Sequence, residues 1–189
     1  SHATLRMLYK LGARYMTLTH SKGLSWADSA TDVRQVGGLT EFGVEVVKEM
    51  NRIGMLVDLS HVSISTMNQA LDASSSPVIF SHSSAASVTK HPRNVSDDLL
   101  IRLKENNGII MITFFPSYIS QRVDQAWKDI QEKAKKISGT PEERRQFFFE
   151  QVSSDLVPKS SIKDVADHID HVRNLIGSDF IGLGSDYDG

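Results

Sequence analysis

Two short apolar runs, each stopping at a Ser-His pair, constrain this chain more than any other feature: Val57-Asp58-Leu59-Ser60-His61 and Val78-Ile79-Phe80-Ser81-His82. Apolar runs of this length, bounded by polar residues, read as strands buried on both faces. A helix-like segment follows each, so both are expected to be strands of consecutive βα units. In parallel α/β architecture the carboxyl ends of strands are where chemistry is placed. Two imidazoles at equivalent ends of neighbouring strands therefore point into one space. Neutral imidazole is a good ligand for zinc and similar ions, which makes His61 and His82 candidate metal ligands. A lone histidine at a strand end is commonly structural; repetition on the next unit is what sets the ligand reading beside that one.

The 189 residues fit one domain with a sizeable core. A net charge of −2 gives no reason to expect nucleic acid or an acidic membrane surface as a partner. Cysteine is absent, so disulfides and thiolate metal sites are excluded and any metal has to sit on His, Asp, Glu or water. No apolar run reaches the roughly 18 residues of a membrane span. The start, Ser1-His2-Ala3-Thr4, lacks the basic-then-apolar pattern of a signal peptide. The compartment stays open, with the cytoplasm favoured by the missing cysteines and signal. The chain starts inside a helix-like segment and stops just after a strand-like one, so both ends look cut.

Taken in order, Ala3 to Leu11 reads as a helix stopped by Gly12, and Tyr15 to Thr19 as a strand ending at His20. A long polar loop follows from Ser21 to Gly38, a length often tied to function. Thr40 is a plausible N-cap for a helix whose apolar face is Phe42, Val46, Val47 and Met50, with Gly54 as its stop. Met55 to Leu59 is the strand before His61. Ser65 to Ala73 is a short helix, and Val78 to Phe80 is the strand before His82. A loop from Ser83 to Val95 carries His91-Pro92-Arg93-Asn94. Ser96 is read as the cap of a helix with Leu99, Leu100 and Leu103 buried, and Ile109 to Phe114 as the most apolar strand. Residues 116–160 read as a polar, helix-rich insertion, with Ala126, Ile130 and Ala134 on one helix face and Phe147-Phe148-Phe149 packing on the body, a substrate or partner surface being the alternative. A helix over 161–176 and a strand over 180–183 complete the pattern, with Asp186 just beyond.

Alternating strands and helices predict a parallel sheet with right-handed crossovers. Polar residues at the strand ends (His20, His61, His82 and Asp186) are what the mouth of a (β/α) barrel presents. A full barrel needs eight units and about 250 residues. The expected fold is therefore α/β, a partial (β/α) TIM barrel. About five of eight βα units are present, and three are expected to be missing on the amino-terminal side. The whole of 1–189 is expected to be one partial-barrel domain. The sheet edges of an open half-barrel invite association, so a homo-oligomer is an open expectation.

Several segments then carry a resemblance. Arg14-Tyr15-Met16-Thr17-Leu18-Thr19-His20, Asp58-Leu59-Ser60-His61, Phe80-Ser81-His82-Ser83-Ser84-Ala85, Arg93-Asn94-Val95-Ser96-Asp97-Asp98 and Gly184-Ser185-Asp186-Tyr187-Asp188-Gly189 together resemble the membrane dipeptidase (renal dipeptidase) family of zinc peptidases. The resemblance implies a TIM-barrel metallohydrolase with two zinc ions, cleaving dipeptides. It implies that His61 and His82 hold the second zinc and that His20 touches the substrate or its tetrahedral intermediate. It further implies that Arg93 grips the substrate carboxylate and that Asp186 stands near the attacking water and the substrate amine. The first zinc's ligands in that family, a His-x-Asp pair and a bridging Glu, have no match here, so this chain alone is expected to hold one incomplete site and to be inactive. Phe115 stands where the family often has Tyr.

Other readings remain beside these. Arg93 by itself is commonly a surface salt-bridge partner, and His91 and His2 read as solvent-facing or incidental. His168 and His171 lie three apart on a helix without a carboxylate set to make a metal site. Asn94-Val95-Ser96 matches the glycosylation pattern, a short match that arises often by chance. At the level of function, a non-catalytic fragment or family member with a structural or binding role competes with the dipeptidase, as does a barrel hydrolase acting on cyclic amides.

Overall fold

The computed structural model describes residues 1–187; Asp188, read from sequence as a cap or turn after the last strand, lies outside the described residues. Five strands form one parallel sheet in sequence order: β1 (Tyr15–Thr17), β2 (Leu56–Asp58), β3 (Ile79–Ser83), β4 (Ile109–Ile112) and β5 (Ile181–Leu183). Helices α1 (His2–Lys10), α2 (Glu41–Ile53), α3 (Ile64–Ala73) and α4 (Asp97–Glu105) precede or link the first four strands. Between β4 and β5 lie α5 (Pro116–Ile119), α6 (Gln121–Lys135), α7 (Pro141–Val152) and α8 (Ile162–Ile176). The strand order and the helix alternation are those the sequence predicts. No helix among the described residues is long and apolar enough to cross a membrane.

Local sequence explains the helix ends. The Thr40 hydroxyl accepts from the Gly43 N–H, and Gly54 closes α2 in the left-handed region at φ 78°, which glycine enters without a Cβ penalty. Val46, Val47 and Met50 bury that helix against the sheet. Phe42, expected on the same face, stays 40% exposed and instead stacks on His2 and meets the edge of Trp26. Ser63 caps α3. Ser96 occupies the N-cap of α4 without a side-chain cap bond, leaving Asp97 and Asp98 to complement the helix dipole. The core between helices and sheet contains Val57, Leu59, Phe80, Leu99, Leu100, Leu103, Ile110 and Ile112.

Two packing expectations change. On α6 the buried positions are Val123, Asp124, Ile130 and Ala134, while Ala126 is half-buried. Asp124 is tolerated there because Lys128 and Gln121 donate to its carboxylate. On α7 no residue is buried. The triple Phe does not reach the sheet: Phe148 meets the edge of Trp127 on α6, and Phe149 is 52% exposed.

The helix α8 carries a fully buried histidine. His168 Nδ1 accepts from the Ala85 N–H at 3.0 Å, so its Nε2 carries the proton and donates to the Ile119 carbonyl at 3.3 Å. One ring thus ties α8 to the segment after β3 and to α5. Burial pushes the His168 ring down to about 4, against the raising effect of the Ile119 carbonyl. The unfolded chain takes up this proton near the ordinary 6.5 and the folded chain only near 4. The stability His168 contributes is therefore full above about pH 6.5 and lost as pH falls toward 4. Unfolding measured from pH 8 to pH 4 should show the gap between wild type and His168→Gln narrowing by on the order of 3 kcal/mol. A gap that stays constant with pH would contradict a buried neutral imidazole.

Candidate active site

The site is built where the ladder between β2 and β3 opens. Their register pairing is recorded only at Asp58 and Ile79. Beyond it, side chains replace backbone acceptors. The Asp58 carboxylate, 1% exposed, accepts from the Ser60 and Ser81 N–H groups, each at 3.0 Å. The Ser60 hydroxyl accepts from the His82 N–H at 3.0 Å. The two histidines are consequently not at equivalent strand ends: His82 lies within β3, while His61 lies beyond β2 with φ 73°. A non-glycine residue there is uncommon. The His61 backbone is held by its neighbours, its carbonyl accepting from the Ala30 N–H at 2.7 Å and the Ser29 hydroxyl at 3.3 Å.

In this conformation the rings converge. His61 Nε2 and His82 Nε2 are 2.8 Å apart, and His20 stacks on His61 with centroids 4.1 Å apart. Burial, followed by the Arg93 charge and the other two imidazoles, pushes His61 down to about 3. Burial and Arg93 also lower His82, against the opposing pull of Asp186 and Asp58. Neutral rings with free nitrogen lone pairs are the form that binds metal. Two such nitrogens on one tetrahedral zinc, each at about 2.0–2.1 Å, stand about 3.3 Å apart, so a small ring movement fits the pair to one ion. Among the described residues no group of three or more His, Asp or Glu converges on a single metal position. The pair offers two nitrogens, where a zinc site takes three or four ligands.

Asp186 lies at the carboxyl end of β5 with φ 63°. With Thr17, Asp58, Ser81 and His82 it lines a cavity of about 460 Å³ on the inner face of the sheet. Two residues before it, glycine is required: a β-carbon on Gly184 would overlap the Ser81 carbonyl oxygen. The structure thus brings His20, His61 and His82 together and sets Asp186 on the cavity that His82 lines.

Arg93 overturns the salt-bridge reading. It is 1% exposed and makes no ion pair among the described residues. Its Nη2 donates to the His82 carbonyl at 3.1 Å and its guanidinium lies over the Tyr118 ring, while Nε and Nη1 are buried without a partner. His91 is not solvent-facing either. It packs on Tyr118, its Nδ1 accepts from the Arg93 N–H, and burial pushes it down to about 4 despite Asp124. The Nε2 of His2 is also buried, with the ring against Phe42. Asn94 is buried and donates both amide hydrogens, to the Thr89 and Tyr118 carbonyls at 2.8 and 2.7 Å, which removes it as a glycosylation acceptor. His171 pairs with Asp97 at 2.8 Å, away from the buried His168.

Sequence reasoning missed Asp28, the hub of the loop from Ser21 to Gly38. Its carboxylate accepts from the Gln35, Val36 and Gly38 N–H groups at 2.8, 3.1 and 2.8 Å. Burial acts to raise this carboxyl, but the N–H donors outweigh it and hold it below the usual value. The residue that follows, Ser29, reaches the His20 and His61 carbonyls, so the loop locks the two rings' backbones together. An acidic residue inside an apolar run, as at Asp58, was the available signal that a strand carries a polar duty.

The membrane dipeptidase (peptidase family M19) model matches residues 1–189. Dipeptidase 3 of Rattus norvegicus is 43% identical over 194 residues, covering 100% of this chain and 33% of that protein. Dipeptidase tcpJ of Claviceps purpurea is 45% identical over 190 residues, covering 100% of this chain and 37% of that protein. The chain thus spans about a third of the length of these curated relatives. Among solved structures, the probable dipeptidase PvdM of Pseudomonas aeruginosa superposes with TM-score 0.83 at 23% identity, over 98% of this chain and 54% of that one, which speaks for the fold alone. A metallopeptidase of Rhodobacter sphaeroides, solved with a phosphinate mimic of the dipeptide L-Ala-D-Ala, matches with TM-score 0.73 at 25% identity, over 98% of this chain and 46% of that one. With a family model matched from the first residue to the last, this chain belongs to the membrane dipeptidase family, peptidase family M19.

Proposed function

We propose that this chain supplies the imidazole pair, the carboxylate-binding guanidinium and the strand-end acid of a zinc-dependent dipeptidase. The observation that carries the reading is Arg93, buried with Nε and Nη1 unpartnered, one hydrogen bond from the backbone of His82. An uncompensated buried charge is costly, and a substrate carboxylate brings the countercharge in a shape that matches the planar fork. Dipeptides carry their free carboxylate one residue from the scissile bond, and they are the proposed substrate class. The dipeptidase names of the relatives and the dipeptide mimic bound by the Rhodobacter sphaeroides enzyme support the same substrate class.

His61 and His82 would hold the zinc through their Nε2 atoms, with the remaining ligands supplied from outside this chain. Bound there, zinc supplies Lewis-acid polarisation of the scissile carbonyl and a water acidified toward neutrality. His20, stacked beside His61, donates to the oxygen that becomes negative as the carbonyl is attacked. Arg93 fixes the terminal carboxylate and so the orientation of the peptide bond. Asp186 takes the proton of the attacking water and returns it to the departing amine.

Arg93→Ala should weaken kcat/KM for free dipeptides by about 10- to 100-fold, the range for losing a charge-assisted hydrogen bond, mostly through KM. Dipeptides with an amidated carboxyl end should change little; an equal loss for both would argue against carboxylate binding. Asp186→Asn keeps the positive φ, which Asn tolerates. It should lower kcat by about 10²- to 10⁴-fold with zinc content unchanged, and near-normal turnover would remove Asp186 from proton transfer.

A further inference from the structure

We propose that Ser81 and Asp58 are positioning residues for His82, forming a carboxylate–hydroxyl–imidazole relay that locks the ring in its Nδ1–H tautomer and presents the bare Nε2 to a metal ion. The inference rests on the metal reading above and adds to it the parts that prepare the ligand.

The hydrogen-bond directions leave one arrangement. Ser81 Oγ lies 2.6 Å from Asp58 Oδ2 and 2.8 Å from His82 Nδ1. A carboxylate only accepts, so the single hydroxyl hydrogen goes to Asp58. Ser81 Oγ can then only accept from the ring, which places the proton of His82 on Nδ1. The lone pair of Nε2 is left facing His61 Nε2, 2.8 Å away. The opposite tautomer would draw the hydroxyl hydrogen away from Asp58 Oδ2, which has no other donor among the described residues, in a side chain 1% exposed. The relay is rigid at both ends. Asp58 Oδ1 is fixed by the Ser60 and Ser81 N–H groups, and the His82 N–H is fixed by the Ser60 hydroxyl. The other rings lack it. His20 Nδ1 meets only the exposed Ser21 hydroxyl at 3.0 Å, and His61 Nδ1 has no partner among the described residues. The geometry therefore makes His82 the pre-set ligand and His61 the adjustable one, whose ring proton has to move from Nε2 to Nδ1 before its Nε2 can face a metal. Partners of this kind orient metal-bound imidazoles and raise their basicity.

The test uses the full-length protein and two variants, Ser81→Ala and Ser81→Thr. Ser81→Ala removes the hydroxyl and leaves the Asp58 bonds to both N–H groups, whereas Ser81→Thr restores a hydroxyl. Histidine ¹⁵N NMR of the metal-free protein, with the His82 signal assigned through His82→Asn, reads the tautomer directly. The relay predicts Nδ1–H in wild type and Ser81→Thr, and a mixed or Nε2–H ring in Ser81→Ala. Competition against a chelator should show zinc held about 10- to 100-fold more weakly by Ser81→Ala, with recovery in Ser81→Thr. An Nε2–H ring in wild type, or unchanged zinc affinity in Ser81→Ala, would overturn the proposal. A wild-type protein that follows these results but hydrolyses no dipeptide would remove the proposed substrate and leave the relay standing.

Discussion

The Asp58 carboxylate holds the mouth of the sheet together. Parallel strands normally exchange evenly spaced backbone bonds, yet β2 and β3 part just where their histidines must be presented. Two unpaired N–H groups buried at that point would be costly. Asp58 answers both with one oxygen and keeps the other for Ser81, while Ser60 takes the His82 N–H. The strands can then separate without orphaned donors, and His61 can adopt its left-handed backbone and swing back toward His82. Further out, Asp28 organises the long loop, and its neighbour Ser29 clamps the carbonyls of His20 and His61. Two buried carboxylates thus do with N–H acceptance what the ladder cannot do at a strand end.

A positive charge beside neutral imidazoles gives the site its electrostatic character. Arg93 is enclosed by Tyr118 and the His82 carbonyl, and its field joins burial in keeping protons off His61 and His82. Its place is fixed by polar bonds rather than by an opposing charge. Asn94 ties the loop to the Thr89 and Tyr118 carbonyls, and His168 ties the loop's start and α5 to α8. The excursion between β4 and β5 therefore reaches the site through α5, while α7 stays at the surface with its phenylalanines against α6.

Much of the scaffold was legible because its signals are local. Thr40 and Gly54 mark α2 by capping chemistry, and the apolar runs mark strands whatever surrounds them. The meeting of His61 with His82 was legible from the repeated strand-end pattern, although the strands end at different points and a backbone twist restores the alignment. What escaped is set by tertiary surroundings. Arg93, His91 and Asn94 sit in one polar loop, and nothing in their spacing shows that the loop folds inward under Tyr118. The three phenylalanines read as packing on the body, but a helix with apolar residues at consecutive positions shows no single face to bury. Asp58 and Ser81 carried a visible signal, polar residues inside apolar strands, whose meaning needed the neighbouring strand.

The claim on which all of this turns is that His61 and His82 share one cation. Crystals of the protein grown with zinc and measured on both sides of the zinc edge would test it most directly. The account predicts an anomalous peak within about 2.0–2.1 Å of both Nε2 atoms, with His82 Nδ1 still on Ser81. Zinc bound elsewhere, while the two rings keep their mutual contact, would contradict it.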